Sequence, residues 1–481
     1  MLDVLQHYGV LGMKWGVRRY QNKDGSLTAA GRARLDKKDE KWAKKKGDKI
    51  TETARKKSSK ELDRYAAKLL QNPNALTSRG KLSAATVNAY NRKMAEVMSQ
   101  KVSDLRSPSG KTVQFVAKRG EVGVMMALAD AGYDMTQLKN GVWTSGGSTK
   151  GTRTDGAAGF SDPNPAVNNG SGSSPFDNLY PWSGMVKETR TGGVMVKEPK
   201  YWYKWTKTGK KLKLQIADGP VEGFHVDPVN MDRGDGLGEL DFSYIGRYHC
   251  ASGTYKSETN KAQQTNITRS QARSNIHNLG SNIWQMDFAQ MWYVGMLFLV
   301  EFADWNGQTA IGYGCSSGNS KQNNGRTDSM QYHTGTTAAN RTTYGFTQYR
   351  NIEGWWDNVY DWMDGCYYNS NGLNVIKNPA QFSDSANGVL VGKPVAGYPS
   401  DFTIPTQDGL EWVLFPSAAN GSQTTYVPDS WNYYGSGPCL CHGGNYGQSL
   451  NRGPFYVNYG STSDQYSDVG CRLQERPPKA A

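Results

Sequence analysis

The residues best suited to chemistry are Cys439-Leu440-Cys441-His442, which set two thiols and an imidazole within four positions. Thiolates and imidazoles are good zinc ligands, and paired thiols can carry redox chemistry. A structural zinc takes four ligands, and the sequence holds no second close Cys/His pair, so Cys471 or His333 would have to complete the set in space. We therefore expect no metal and no cofactor here. Asp232, Asp235 and Glu239 in MDRGDGLGELD resemble a calcium loop only loosely and read as a solvated loop. Glu353, Asp357, Asp361 and Asp364 are interleaved with three Trp and a Tyr between residues 351 and 365. That spacing matches no cation loop and reads as a core motif that must bury its rings and satisfy its carboxylates. No glycine-rich phosphate loop follows a strand, and no Gly-x-Ser-x-Gly elbow is present, so we expect no catalytic residues and no enzyme.

Recognition is the chemistry that remains. From Ser430 to Pro477 the chain is crowded with Asn, Tyr, Ser and Gly. Binding loops use these types because aromatic rings give contact area at low entropic cost and small polar groups adapt. Gly443, Gly444 and Gly470 would fix sharp backbone positions, while Phe455, Val457 and Val469 anchor a scaffold strand or two.

The elements that must carry this surface follow from the rest of the chain. At 481 residues with 37% hydrophobic content, two or three domains with a substantial core are expected. Residues 1–150 hold 30 Lys and Arg against 14 Asp and Glu, whereas residues 151–481 hold 26 against 29. The halves should therefore meet different partners. All six cysteines lie in the second half. The N-terminus has no basic region before an apolar run, so synthesis in a reducing cytosol is expected, with no structural disulfides at first. Met291 to Phe302, the most apolar segment, falls well short of the roughly 20 residues a membrane span needs and reads as a core helix.

Four segments are expected. Residues 1–28 end in a Lys-Asp-Gly-Ser turn signal. Residues 29–147 begin with a long charged helix, Ala29 to about Gln71, too sparsely apolar to stand without a partner helix, a trimer mate or an acidic surface. A helix from Ser83 to about Val102, a strand at 112–116 and a helix near 121–131 follow. No aromatics interleave the basic residues, so nucleic-acid contact is not favoured. Residues 148–176 read as a flexible Gly/Ser/Asn linker. Residues 177–481 form an α+β domain. It opens with a hairpin, Tyr201–Trp205 against Leu212–Ile216, turning at Thr208-Gly209. Thr268 with Gln271, and Asp287 with Gln290, read as capping boxes, the second before a helix that turns Trp292, Met296, Leu297 and Val300 inward. Short strands are expected around 388–395, 411–416 and 455–459.

Two resemblances extend this reading. HYGVLGMKWGVRRYQNKDGSLT, His7 to Thr28, resembles the opening of many phage and prophage virion-associated proteins, which makes residues 1–147 a virion-anchoring module by implication. NIEGWWDNVYDW at 351–362, with Gly470-Cys471-Arg472 near the end, resembles the formylglycine-generating-enzyme branch of the C-type-lectin-like fold. That branch carries G-N-V-W-E-W and G-F-R motifs, for which Asp357, Asp361 and Cys471 here stand in place of Gly, Glu and Phe. Residues 178–476 are similar to phage fibre-tip proteins, some of which are diversified near the C-terminus by retroelements. The resemblance implies a ligand-facing surface of Asn432, Tyr433, Tyr434, Ser436, His442, Asn445, Tyr446, Gln448, Asn451, Asn458 and Tyr459. Trp431, Gly443, Gly444, Gly453, Phe455, Gly470 and Arg472 would be its scaffold. It further implies a virion-displayed receptor-binding protein whose partners are a host cell-surface protein or glycan, other virion proteins and copies of itself, a trimer being favoured. A head or decoration protein without receptor binding, and an oxidase of the formylglycine-generating type, are the alternatives.

Overall fold

The computed structural model describes residues 147–478 apart from 317–319, 433–437 and 449–450, together with strands at 101–106, 112–116 and 139–144 and a few helical positions before them. Two compact units are present, residues 1–135 and residues 136–481.

In the first unit Lys101–Arg106 pairs antiparallel with Thr112–Val116, as the β-branched run TVQFV requires. Lys101 and Val102, expected at the end of a helix, are therefore in a strand. Arg34, Lys38, Lys41, Arg64, Tyr65 and Lys68 are helical, in keeping with the long charged helix. The 1–28 motif and the helices expected from Ser83 and near 121–131 lie outside the described residues.

The second unit is α+β and mainly β. Its first sheet is built on the hairpin expected from alternation, Trp202–Thr208 against Lys211–Ala217. Tyr203, Trp205, Leu212, Leu214 and Ile216 are buried, while the intervening lysines stay wetter. Thr208 pairs with Lys211, leaving a two-residue loop whose first member, Gly209, takes φ +59°. Glycine at that position suits the right-handed twist of a hairpin.

Lys139–Thr144 lies between Lys211–Ala217 and Gly151–Asp155 in the same sheet. Residues 148–176 are accordingly folded and are not a linker. Gly151 N donates to Ala303 O at 2.6 Å, Lys150 Nζ meets Asp304 at 3.0 Å, and Phe176 is fully buried. Thr-Arg-Thr at 152–154 suffices for an edge strand, and the Gly and Asn content serves tight turns, with positive φ at Asp155, Gly159, Asn168 and Asn169. Composition alone does not separate turn-rich from flexible chain.

Two helices brace the sheets. Thr268 caps α1 (Arg269–His277) in a complete capping box with Gln271. Asp287 caps α2 (Phe288–Phe302), its carboxylate accepting from Gln290 N at 3.1 Å. Gln290 does not complete a box there, because its amide donates to Glu198 and Gln474 instead. All fifteen residues of α2 are buried, so the helix is surrounded, not one-sided as the inward-facing set suggested. Gly295 admits the Phe455 ring, which a Cβ would meet at 2.8 Å. Phe455 thus packs on Trp292 and Phe298 of α2 and on Trp305, tying the 430–477 region to the core.

The second sheet runs Ile283–Gln285, Leu473–Glu475, Phe242–Gly246, Gly193–Pro199, Lys187–Arg190. The third runs Val457–Gly460, Cys439–His442, Tyr360–Met363, Val469–Gly470. Of the other strands expected, one forms at Val389–Gly392 and one at Phe415–Ala418, the latter several residues later than the 411–416 reading. Among the described residues no helix is long and apolar enough to cross a membrane.

Candidate binding face

The third sheet positions the face, and a buried charge knot positions the sheet. Tyr360–Met363 belongs to the Trp-rich motif, whose three indoles, Trp355, Trp356 and Trp362, are each 1% exposed. Its acids are buried too, each with a built partner. Arg472 Nε donates to Asp361 Oδ2 at 3.0 Å, and His249 Nδ1 lies 2.9 Å from Asp361 Oδ1. These cationic and imidazole neighbours outweigh the desolvation that opposes them and hold Asp361 down to about 2. Arg472 also donates to the carbonyls of Gly246, Arg247 and Glu353. One guanidinium therefore joins the second sheet, the Trp-rich motif and the C-terminal segment. Asp364 receives Arg273, Glu353 receives Gly325 N and Thr327 N, and Asp357 receives Thr347 N.

On this frame Trp431, Gly443, Gly444, Gly453, Phe455 and Gly470 are buried. Trp431 packs edge-on against Phe288 at the start of α2 and donates its indole N–H to Tyr368 Oη at 2.6 Å.

The residues implied to face a ligand divide into three groups. Tyr433, Tyr434 and Ser436 lie outside the described residues. Asn432, Tyr446, Gln448, Asn451, Asn458 and Tyr459 are half-buried. Asn432 Nδ2 and Gln448 Nε2 both donate to Tyr456 Oη, at 2.7 and 3.0 Å. Tyr456 stacks on Tyr360, whose hydroxyl lies 3.5 Å from its own, and the Asn458 side chain lies near Tyr360. Three amides thus gather around two phenols.

His442 and Asn445 form the third group and correct the expectation. His442 is 1% exposed, its Nε2 is 3.0 Å from Pro454 O, and the Trp355 ring lies against it. Burial pulls its pKa down to about 4, so the ring is neutral at neutral pH. All four residues of Cys439–His442 are buried, so alternation does not turn His442 outward. Asn445 is spent on a turn: its Oδ1 accepts Gly447 N at 2.9 Å and its Nδ2 donates to Asp468.

Sequence reasoning passed over Tyr456, Tyr360 and Arg452. Arg452, fully buried, donates to the carbonyls of Asn445, Gln448 and Tyr313 and so fixes the loop bearing Tyr446 and Gln448. The only signal for Tyr456 was its place between the scaffold residues Phe455 and Val457.

The thiols are interior groups. Burial pushes Cys439 up to about 11 and Cys441 well above the usual thiol range, leaving both protonated and weakly nucleophilic at neutral pH. The other ligands considered for zinc are engaged elsewhere: His333 pairs with Asp177 at 3.0 Å, and Cys471 lies in a cluster with Cys250, Met195 and Leu473. Among the described residues no group of three or more His, Cys, Asp or Glu is arranged to hold a metal ion.

What these observations define is an α+β unit, mainly β, that presents half-buried amides above two buried phenols on a rigid interior. A family model described as a family of unknown function, DUF7211, matches residues 1–22. Comparison with curated proteins gives no match. Among solved structures, the structure of PvdO from Pseudomonas aeruginosa is similar over 61% of this chain and 99% of that chain, at 10% identity and a TM-score of 0.29. At that similarity neither a fold family nor an activity is carried over.

Proposed function

We propose that the chain is a receptor-binding protein displayed on a phage virion. Its second unit is a C-type-lectin-like tip, and its basic first unit engages other virion proteins. The single observation that carries this reading is the face itself, where Asn432, Gln448 and Asn458 surround Tyr456 and Tyr360. The frame beneath is locked by Arg472 and α2, so side chains of the face can change without disturbing the core. A surface diversified by a retroelement needs that division of labour. Modest affinity at each site suffices, since many copies on one particle raise avidity without new contacts.

Competition tests the reading. Purified full-length protein added to host cells is expected to block adsorption of the parent particle in a dose-dependent way. Saturating protein that leaves adsorption unchanged contradicts receptor binding and favours a head or decoration role. Diversification is checked in the neighbouring DNA, where a reverse transcriptase and a near-copy of the codons for 430–477 are expected.

A further inference from the structure

A cleft that uses none of the residues of the face above carries an inference of its own, independent of the receptor-binding reading. It lies beside the tip of the Trp202–Thr208 hairpin and is lined by Ser148, Lys210, Ser400, Asp401 and Tyr426 around the Trp305 and Phe402 rings. Those two rings are buried and stack at 5.3 Å with 15° between their planes, a rigid base for the cleft. The polar groups stay accessible: Ser148 and Lys210 are exposed, and Ser400, Asp401 and Tyr426 are half-buried.

The hydrogen bonds show what these groups have left to give. Asp401 is spent, because Lys207 Nζ pairs with its carboxylate at 2.9 Å and Phe402 N donates to it at 2.8 Å. Ser148 Oγ accepts Lys150 N at 3.0 Å, and Ser400 Oγ accepts Asn420 N at 3.1 Å. Each hydroxyl therefore keeps its own proton to donate. Among the described residues the Tyr426 hydroxyl and the Lys210 ammonium have no partner. Three hydroxyls and an ammonium are thus free to donate, beside a carboxylate that is already matched.

The surrounding charge has the same sense. Residues 200–213 hold six Lys and no Asp or Glu, in a region, 151–481, where acids outnumber bases by 29 to 26. Lys200, Lys207 and Lys213 are matched by Glu239, Asp401 and Asp155. Lys204, Lys210 and Lys211 have no acidic partner among the described residues. Tyr426 adds a second kind of evidence. It sits at φ +57°, in the left-handed region that a bulky residue enters only under constraint. The Ser422–Thr425 bridge before it and the bond from Val427 N to Pro399 O after it hold it there. Strain of this kind collects at ligand sites, where a fixed side-chain position serves binding.

We infer that this cleft binds a phosphate group, with Lys210 supplying the charge and Ser148, Ser400 and Tyr426 donating hydroxyl hydrogen bonds to its oxygens. A tetrahedral oxyanion presents acceptors in several directions at once, which a set of donors around one compact cleft can use. Its charge strengthens each of those bonds and answers the unmatched ammonium. The group arrives as free phosphate or as the phosphodiester of an anionic polymer, and the cleft meets both with the same donors.

Titration calorimetry of the full-length protein at constant ionic strength tests this, with inorganic phosphate and poly(glycerol phosphate) as separate probes. Saturable binding is expected. Inorganic phosphate binding alone identifies the free ion, and a polymer that also binds and competes identifies a phosphodiester; both uphold the site. Tyr426→Phe, which removes only the hydroxyl, should weaken binding about tenfold, and Lys210→Gln about three- to tenfold. Unchanged unfolding midpoints would show that both variants keep the fold. Lys211→Gln removes the same charge from the adjacent position, outside the cleft, and should change binding by less than about twofold. Equal losses at Lys210 and Lys211 would reveal diffuse attraction to the hairpin and overturn the cleft. No saturable binding of either probe, or parental binding by both Tyr426→Phe and Lys210→Gln, would overturn it as well.

Discussion

Arg472 shows how much one residue organises. It is fully buried, bonded to Asp361 and to three carbonyls from two separate segments, 246–247 and 353. Arg472→Ala would strand the Asp361 carboxylate in the interior, and breaking a buried pair in this way costs about 3–5 kcal/mol. Urea unfolding of the second unit should register that loss. The pH dependence has a definite sign. The folded pKa of Asp361, about 2, lies below its ordinary value of 3.8, so its contribution is complete above about pH 4 and is lost as pH falls toward 2. Wild-type protein should lose stability across that window, and Arg472→Ala should show a flatter profile there. At this scale the sequence was partly legible. Phe455 was readable as an apolar anchor, and Trp431 and Arg472, given as scaffold by the resemblance, are interior too. His442 was misread, because its strand is buried on both sides and polar character says nothing about which side a residue faces.

Among elements, α2 is the one the fold cannot lose. Asp287 caps it and also pairs with Arg233 Nη2 at 2.5 Å, both carboxylate and guanidinium being buried. Asp287→Ala should therefore cost more than a cap alone, about 3–5 kcal/mol, whereas Thr268→Ala at the start of α1 should cost about 1 kcal/mol. Equilibrium unfolding of the two variants side by side distinguishes them, and equal losses would contradict the added role of the ion pair. Helix starts and the Trp202–Thr208 hairpin were readable because caps and alternation are local signals. The 148–176 segment was not, because what folds it, the Lys139–Thr144 strand and the carbonyl of Ala303, lies elsewhere in the chain.

For the whole molecule, the division falls after Met135 and not near residue 176. A fragment of residues 136–481 is expected to unfold cooperatively. A fragment of residues 177–481 lacks both Lys139–Thr144 and Gly151–Asp155 and should not, as differential scanning calorimetry would show. The charge asymmetry of the sequence matches this division in sense, with the basic excess concentrated before residue 150. The architecture proposed for the particle, a basic anchoring unit carrying a neutral recognition unit, makes binding separable from assembly. The most direct test is the adsorption rate of particles whose protein carries Asn432→Ala, Gln448→Ala and Asn458→Ala together, measured beside particle yield. Adsorption should fall at least about tenfold, the loss of a few hydrogen bonds at each of many sites, while yield is unchanged. Adsorption at the parental rate would contradict the assignment of this face to receptor binding.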